Sequence, residues 1–319
     1  MNMLVIVLSS QLLYYLLIAQ TGVVGAFGSD IHDLYTLPIG GVLGSLISAY
    51  WKHYGIKQEL SFMFGMQIMI SWYYPHYSLG MLLVFGFIVG YATPLMLYTF
   101  KAQSTLSLVL GLAISYAVGT AFYSYPYAQR GIIAVVLPTI SLIALFFSTL
   151  SDEQYTKNSA LNWKMVGAMM VWIFADSALF ETLSRSEGMD IWSHYTALII
   201  SSHLLGVYLA YRYGKTLMEN SVIIVGLFAL SYGFYYLQQP ILLAIIYPIV
   251  ISYYNVLLFR ELIRLNDIRA IGIVMVGVGW GAASVASLVA LEHQLWLAVV
   301  TLGAFSFLYV IGTRPDRLR

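Results

Sequence analysis

Apolar residues fill this chain in long blocks separated by short polar punctuation. A helix crossing about 30 Å of hydrocarbon needs roughly 17–25 apolar residues. Twelve blocks fit, over 3–27, 34–53, 59–74, 77–100, 104–124, 131–150, 163–184, 192–211, 219–236, 239–259, 268–290 and 294–312, the third and ninth being among the shortest. The longest polar interval, SDEQYTKNSALNWK at Ser151–Lys164, divides the chain near its middle. The pattern predicts an all-α integral membrane protein of 12 transmembrane helices: one six-helix bundle over 1–150, a linker at 151–163, and a second bundle over 164–319. The first block has no basic run before it and outlasts a signal peptide's apolar core, so it is expected to remain as the first span.

The placement of charge tests that count independently, because cytoplasmic loops collect Lys and Arg. With twelve spans, Lys52, Lys57, Lys101, Lys157, Lys164, Arg212, Lys215, Arg260, Arg264 and Arg269 fall on one side, together with the tail residues Arg314, Arg317 and Arg319. Only Arg130 and Arg185 fall on the other. One span more or fewer would scramble this alternation. Both termini are therefore expected in the cytoplasm, and the membrane is expected to be a bacterial-type inner (plasma) membrane.

Composition agrees with that solvent. The chain is 60% hydrophobic and 9% charged, where a soluble domain carries about 25% charged residues. A net charge of +1 gives no cation cluster for nucleic acid. The absence of cysteine excludes disulfides, thiolate metal sites and cysteine nucleophiles. There is no phosphate-binding Gly-Lys-Ser/Thr loop, HExxH pattern or nucleophile elbow. Neither ATP-driven work nor an enzyme is expected, and no cofactor. Twenty-six tyrosines and seven tryptophans suit a protein with two membrane interfaces to anchor.

An internal repeat links the halves. YTLPIGGVLGSLISAYWKHYG (Tyr35–Gly55) matches YTALIISSHLLGVYLAYRYG (Tyr195–Gly214), and Phe100-Lys101 matches Phe259-Arg260 in the register of the Tyr-Gly pairs. Two such halves imply an axis along the membrane normal. These residues resemble the major facilitator superfamily, in which a Gly/Asp/Arg-rich signature lies between spans two and three and is echoed between spans eight and nine. The first copy here is Ala49-Tyr50-Trp51-Lys52-His53-Tyr54-Gly55-Ile56-Lys57, and the echo is Ala210-Tyr211-Arg212-Tyr213-Gly214-Lys215. Lys52, Gly55, Lys57, Arg212, Gly214 and Lys215 thus become candidate gate residues. The signature's acid is missing: Lys52 and Tyr211 stand near its place. The resemblance implies a compact, divergent transporter that rocks two bundles about a cavity lined by spans one, four, seven and ten.

Asp176 is the sharpest candidate for chemistry. Twelve residues past Lys164, it lies about 18 Å along span seven, near the midplane. A carboxylate there costs at least about 2.5–3.5 kcal/mol unless protonated, paired or wet. It is expected to take a proton, a cation or cargo; the alternative is a neutral acid bonded to a neighbouring helix. Glu181 and Arg185 follow at i,i+4 and can pair as an outer gate or a plain interfacial ion pair. His203 can carry a proton or simply bond across helices. Spans one, four and ten offer Gln11 and Tyr14, Tyr91, and Tyr253, Tyr254 and Asn255. Proline at Pro94 and Pro248 marks places where those helices can bend. Gly40, Gly41, Gly44 and Gly272 are expected to permit close packing. Asp30, His32 and Asp33 read as a solvated outer loop, and Arg260, Glu261 and Arg264 as a solvated inner turn.

Met165 and Met169, and Met63, Met66 and Met69, form two apparent stripes. Thioethers bind Cu(I), and some members of the resembled family import copper; packing is the simpler reading. The function expected is secondary active transport of a small molecule by a monomer in the lipid bilayer, coupled to a proton or cation through Asp176. The alternatives are a non-transporting scaffold or assembly subunit, and a copper importer. No metal site of His, Cys or carboxylates is expected.

Overall fold

Every one of the twelve expected segments is helical over most of its length. The computed structural model describes residues 2–23, 25, 34–150, 160–185, 189–265 and 267–312, with the side chains of Arg185 and of residues 309–312 excluded. Most of the linker (151–159), the outer-loop residues Asp30, His32 and Asp33, Lys157, and the tail arginines 314, 317 and 319 lie outside the described residues.

Helix α1 runs Met3–Tyr14 and widens into a π-helical stretch at Tyr15–Val23. Then come α2 (Thr36–Tyr50), α3 (Ile56–Ser71), α4 (Leu79–Thr99), α5 (Thr105–Tyr123), α6 (Gly131–Phe146) and α7 (Trp163–Arg185). A short turn at Ile191–His194 precedes α8 (Thr196–Tyr213). The rest are α9 (Ser221–Tyr236), α10 (Pro240–Arg264), α11 (Ile268–Met275, π-helical at Val276–Ala282, then Ala283–Leu291) and α12 (Trp296–Gly312). Among the described residues, six helices are long and apolar enough to cross a membrane: Met3–Val23, Leu79–Ala102, Thr105–Tyr123, Trp163–Ser184, Pro240–Arg264 and Ile268–Leu291. Starts are set by side-chain caps: Asn2, Ser78, Ser104 and Asp267 each accept a backbone N–H of the first turn, which satisfies donors the helix cannot.

Two units emerge. One comprises Met1–Leu161 with Leu258–Gly281, the other Asn162–Leu257 with Ala282–Arg319. The end of α10 and the first part of α11, which lie in the second half of the sequence, therefore pack with the first unit. Glycine allows this. A Cβ on Gly272 would come within 2.8 Å of the Ala49 Cβ and 2.9 Å of the Ser45 carbonyl. A tight seam joins α2 to α4, where Gly40 and Gly44 lie against the backbone of Leu83, Phe87 and Tyr91, and Gly86 and Gly90 against the backbone of Leu37 and Gly41.

The inner turn after α10 differs from expectation. Arg260, Glu261 and Arg264 are helical, because Leu257, Leu258 and Leu262 extend the buried face for another turn. Glu261 is buried and accepts from the Arg264 Nη1 at 2.9 Å.

Arg130 closes the far end of the first unit. It sits just before α6 and is 4% exposed. Its guanidinium donates to the carbonyls of Tyr123 (2.6 Å), Tyr125 (2.8 Å) and Leu17 (2.8 Å), and to Thr21 Oγ1 (2.7 Å). The widened turn of α1 frees the Leu16 and Leu17 carbonyls; Thr21 and Arg130 supply the donors. Burial pulls the guanidinium below its ordinary value, while Tyr74 and Tyr123 oppose the fall. Arg130→Met is expected to cost on the order of 2–5 kcal/mol, since buried carbonyls lose their donors, read as a lower midpoint in thermal unfolding. Arg130→Lys should rescue little, because an ammonium cannot reproduce the planar fork.

Candidate functional site

In the second unit, Asp176 on α7 meets two tyrosines of α10. The Tyr247 hydroxyl lies 2.8 Å from Asp176 Oδ1 and 2.8 Å from its backbone carbonyl. The Tyr254 hydroxyl donates to Oδ2. Tyr247 and Tyr254 are seven residues apart, about two helical turns, so both rings leave the same face of α10. Each carboxylate oxygen therefore faces its own phenol. Both tyrosines are fully buried, while Asp176 stays partly exposed.

Aromatic rings wall this group. Trp172, one turn before Asp176 on the same face, stacks on Phe228 at 6.3 Å and meets Phe305 edge-on at 4.8 Å. Phe228 in turn lies 5.7 Å from Tyr254, and Trp192 6.2 Å from Tyr247. The Tyr232 hydroxyl donates to the carbonyl of Ala175 at 2.6 Å. The Trp172 indole N–H is buried without a hydrogen-bond partner among the described residues.

The other candidates divide. Tyr253 is about 100° away from Tyr254 around α10, and its hydroxyl donates to Asn220 Oδ1 at 2.6 Å. It is not part of the Asp176 group. Asn255 is half-buried on the same helix. His203 Nδ1 sits 2.6 Å from Ser252 Oγ and its ring stacks on Trp192 at 6.4 Å, which ties α8 to α10. Glu181 is buried; its pairing with Arg185 involves a side chain outside those described.

In the first unit, Gln11 of α1 donates to Gln67 Oε1 (3.0 Å) and Ser141 Oγ (2.8 Å), and Tyr14 bonds Ser71 at 2.8 Å. A polar ladder thus joins α1, α3 and α6. Tyr91 donates to Glu59 Oε2 at 2.7 Å; nothing in the sequence pattern marks that acid. Lys57 caps α6 by donating to the carbonyls of Phe146 and Ser148 at 2.9 and 2.7 Å. In this conformation it holds a helix end. Lys52 lies in the extended stretch after α2, 5.4 Å over the Tyr54 ring, whereas Arg212 is helical, in the last turn of α8. The two signature copies therefore differ in backbone as well as in charge. A Cβ on Gly214 would clash with the Ala210 carbonyl and sit 2.8 Å from Leu257 Cδ2, while Gly55 faces only the flexible end of Gln58. Lys215 is exposed.

The methionine stripes come apart. Residues at i and i+6 on a helix diverge by about 120°. Met63 accordingly lines an inner groove with Glu59 and Tyr91, whereas Met66 and Met69 line an outer one with Met81 and Trp72. Met169 is fully buried. Among the described residues, no three His, Asp or Glu side chains gather around a possible metal.

The phenol grip has a direct test. Tyr254→Phe removes one donor and is expected to cost on the order of 1–3 kcal/mol of stability. A double-mutant cycle with Asp176→Asn, read by thermal unfolding, should show a coupling of about 0.5–3 kcal/mol; additive losses would mean the two groups do not interact.

No sequence-family model matches the chain, and no curated protein matches it by sequence. Solved structures do match. A D-xylose–proton symporter aligns over 96% of this chain and 96% of its own, at 12% identity and a TM-score of 0.60. The human organic anion transporter MFSD10 aligns over 97% and 96%, at 13% identity and a TM-score of 0.63. A bacterial homologue of the iron transporter ferroportin, in its outward-facing state, aligns over 97% and 96%, at 14% identity and a TM-score of 0.59. Likeness at such identity shows the fold: this is the fold of the major facilitator superfamily. By that fold and its apolar helices the chain is an integral membrane protein.

Proposed function

We propose that this protein is a secondary transporter of a small molecule, working by alternating access and coupled to protons through Asp176. The observation that carries the reading is the pair of buried phenols converging on one partly exposed acid. Each oxygen of an ionised carboxylate accepts a phenol proton. Adding a proton makes one oxygen a donor and a weaker acceptor, so the phenol facing it loses the charge-assisted bond and has to make room for the new hydrogen or accept it. Proton binding thereby loosens α7 from α10, the two helices that the family resemblance places at the cavity. Retaining such a costly group near mid-membrane favours use over accident.

The twelve helices are proposed to be twelve spans in two repeated halves, 1–150 and 164–319 joined by the linker at 151–163, with both termini in the cytoplasm of a bacterial-type inner membrane. The protein acts as a monomer in this reading. The neighbours named above handle a sugar, organic anions and iron, so D-xylose, a dicarboxylate and ferrous iron make a first panel of probes. Purified protein in liposomes should accumulate one of them under an inward proton gradient and lose that accumulation in Asp176→Asn. If no probe moves and the protein co-purifies with a stoichiometric partner, the scaffold reading replaces this one.

A further inference from the structure

The inner turn between α2 and α3 carries a second group of titratable side chains, far in sequence from Asp176. His53 Nε2 lies 2.8 Å from the carbonyl oxygen of Ser48, and His53 Nδ1 lies 2.7 Å from Glu59 Oε2. Glu59 also accepts from the Tyr91 hydroxyl at 2.7 Å and, through Oε1, from the Tyr54 backbone N–H at 3.2 Å.

Counting hydrogens leaves one to be placed. A carbonyl oxygen only accepts, so Nε2 must bear a hydrogen. A neutral imidazole has a single N–H, which can serve Ser48 or Glu59 but not both. Whichever nitrogen lacks the hydrogen then presents a bare lone pair to an oxygen acceptor at 2.8 or 2.7 Å, and two acceptors repel. The geometry closes only with one more proton between Nδ1 and Oε2, whichever atom holds it. We infer that the α2–α3 turn is a proton-binding site, in which one proton shared by His53 and Glu59 locks the turn shut. Binding forms one N–H···O contact and breaks no covalent bond.

The surroundings suit a group that exchanges with water. Glu59, Tyr54 and Tyr91 line an open groove of about 680 Å³. From α4 the facing titratable group is Tyr91. Lys57, on α3 itself, is committed to the α6 carbonyls, and α6 offers only those carbonyls. From α11, Arg269 stands 4.6 Å over the Tyr50 ring, and Lys52 stands over Tyr54. The sign follows: His53 can hold Ser48 and Glu59 together only while the proton is bound, so the turn is clamped at lower pH and released as pH rises.

The Tyr54 amide reports the lock, because its acceptor is Glu59 itself. Its hydrogen exchange, divided by that of the unfolded chain at each pH, should lose protection several-fold from mildly acid to mildly alkaline buffer. In Glu59→Gln the side-chain amide donates to Nδ1 without any added proton, and its oxygen still accepts from Tyr54. Protection there should stay flat. His53→Gln, equally neutral at every pH, should also be flat and serves if the first variant does not fold. Flat protection in the unaltered protein, or a variant that keeps its pH dependence, overturns the proposal. The measurement needs no cargo and no gradient, so it stands apart from the transport reading.

Discussion

Asp176→Asn is expected to abolish gradient-driven accumulation while leaving exchange of cargo across the membrane. Asparagine is the size of aspartate and neutral at all pH. Its amide can only donate where one carboxylate oxygen accepted, so it imitates the proton-loaded acid permanently. Helix α7 is then held in its loosened relation to α10, and the cycle turns without carrying a proton. The expected loss is at least about tenfold in accumulation, equivalent to about 1.4 kcal/mol. Counterflow, in which preloaded cargo exchanges for external label, should survive. The comparison is made in proteoliposomes with whichever probe the unaltered protein accumulates. Unchanged accumulation at every pH would remove Asp176 from the mechanism. Loss of counterflow as well would make it a cargo ligand or a structural residue instead.

Gly86→Ala is expected to be strongly damaging to the first unit. The added methyl would run into the Leu37 carbonyl carbon at 3.0 Å and the Gly41 nitrogen at 2.9 Å, and into the Leu37 oxygen closer still. Backbone cannot rotate out of the way as a side chain can. Overpacking of this kind costs about 1–3 kcal/mol or more, and here it pries α2 from α4 along their closest seam. The same substitution at Gly226, where a methyl meets nothing within 4 Å, supplies the control. Thermal unfolding and gel filtration in detergent should separate them: Gly226→Ala like the parent, Gly86→Ala with a lower midpoint and an aggregated fraction.

Much of this architecture is legible in the hydropathy pattern because the bilayer demands it. Every crossing segment must satisfy its own backbone and present hydrocarbon, so each predicted block became a helix within a few residues. Asp176 stood out for the same reason: an acid is conspicuous in oil. Its partners did not. Tyrosine is too abundant here for any one ring to signal, and Tyr253 and Tyr254 look alike until helical phase sends one to Asn220 and the other to the carboxylate. Tyr247 is picked out only by its spacing of seven from Tyr254. That Lys57 caps α6 was not legible, because a basic residue in a signature loop looks the same whether it gates or caps. His53 and Glu59 lie six apart across a helix start, and no periodicity joins them. The methionines of α3 divide between two grooves by position along the helix as well as by phase.

The widened turn in α1 has a practical consequence. A π-helical turn accommodates more residues per revolution than an α-helical one, so Tyr15–Val23 is out of step with Met3–Tyr14. A helical wheel drawn through residues 3–23 as one cylinder assigns the wrong compass bearing to everything past Tyr15. Gln20, nine residues on and therefore opposite Gln11 on such a wheel, belongs to a different meridian, and designs for probes, labels or crosslinks along this helix should be plotted in two separate segments.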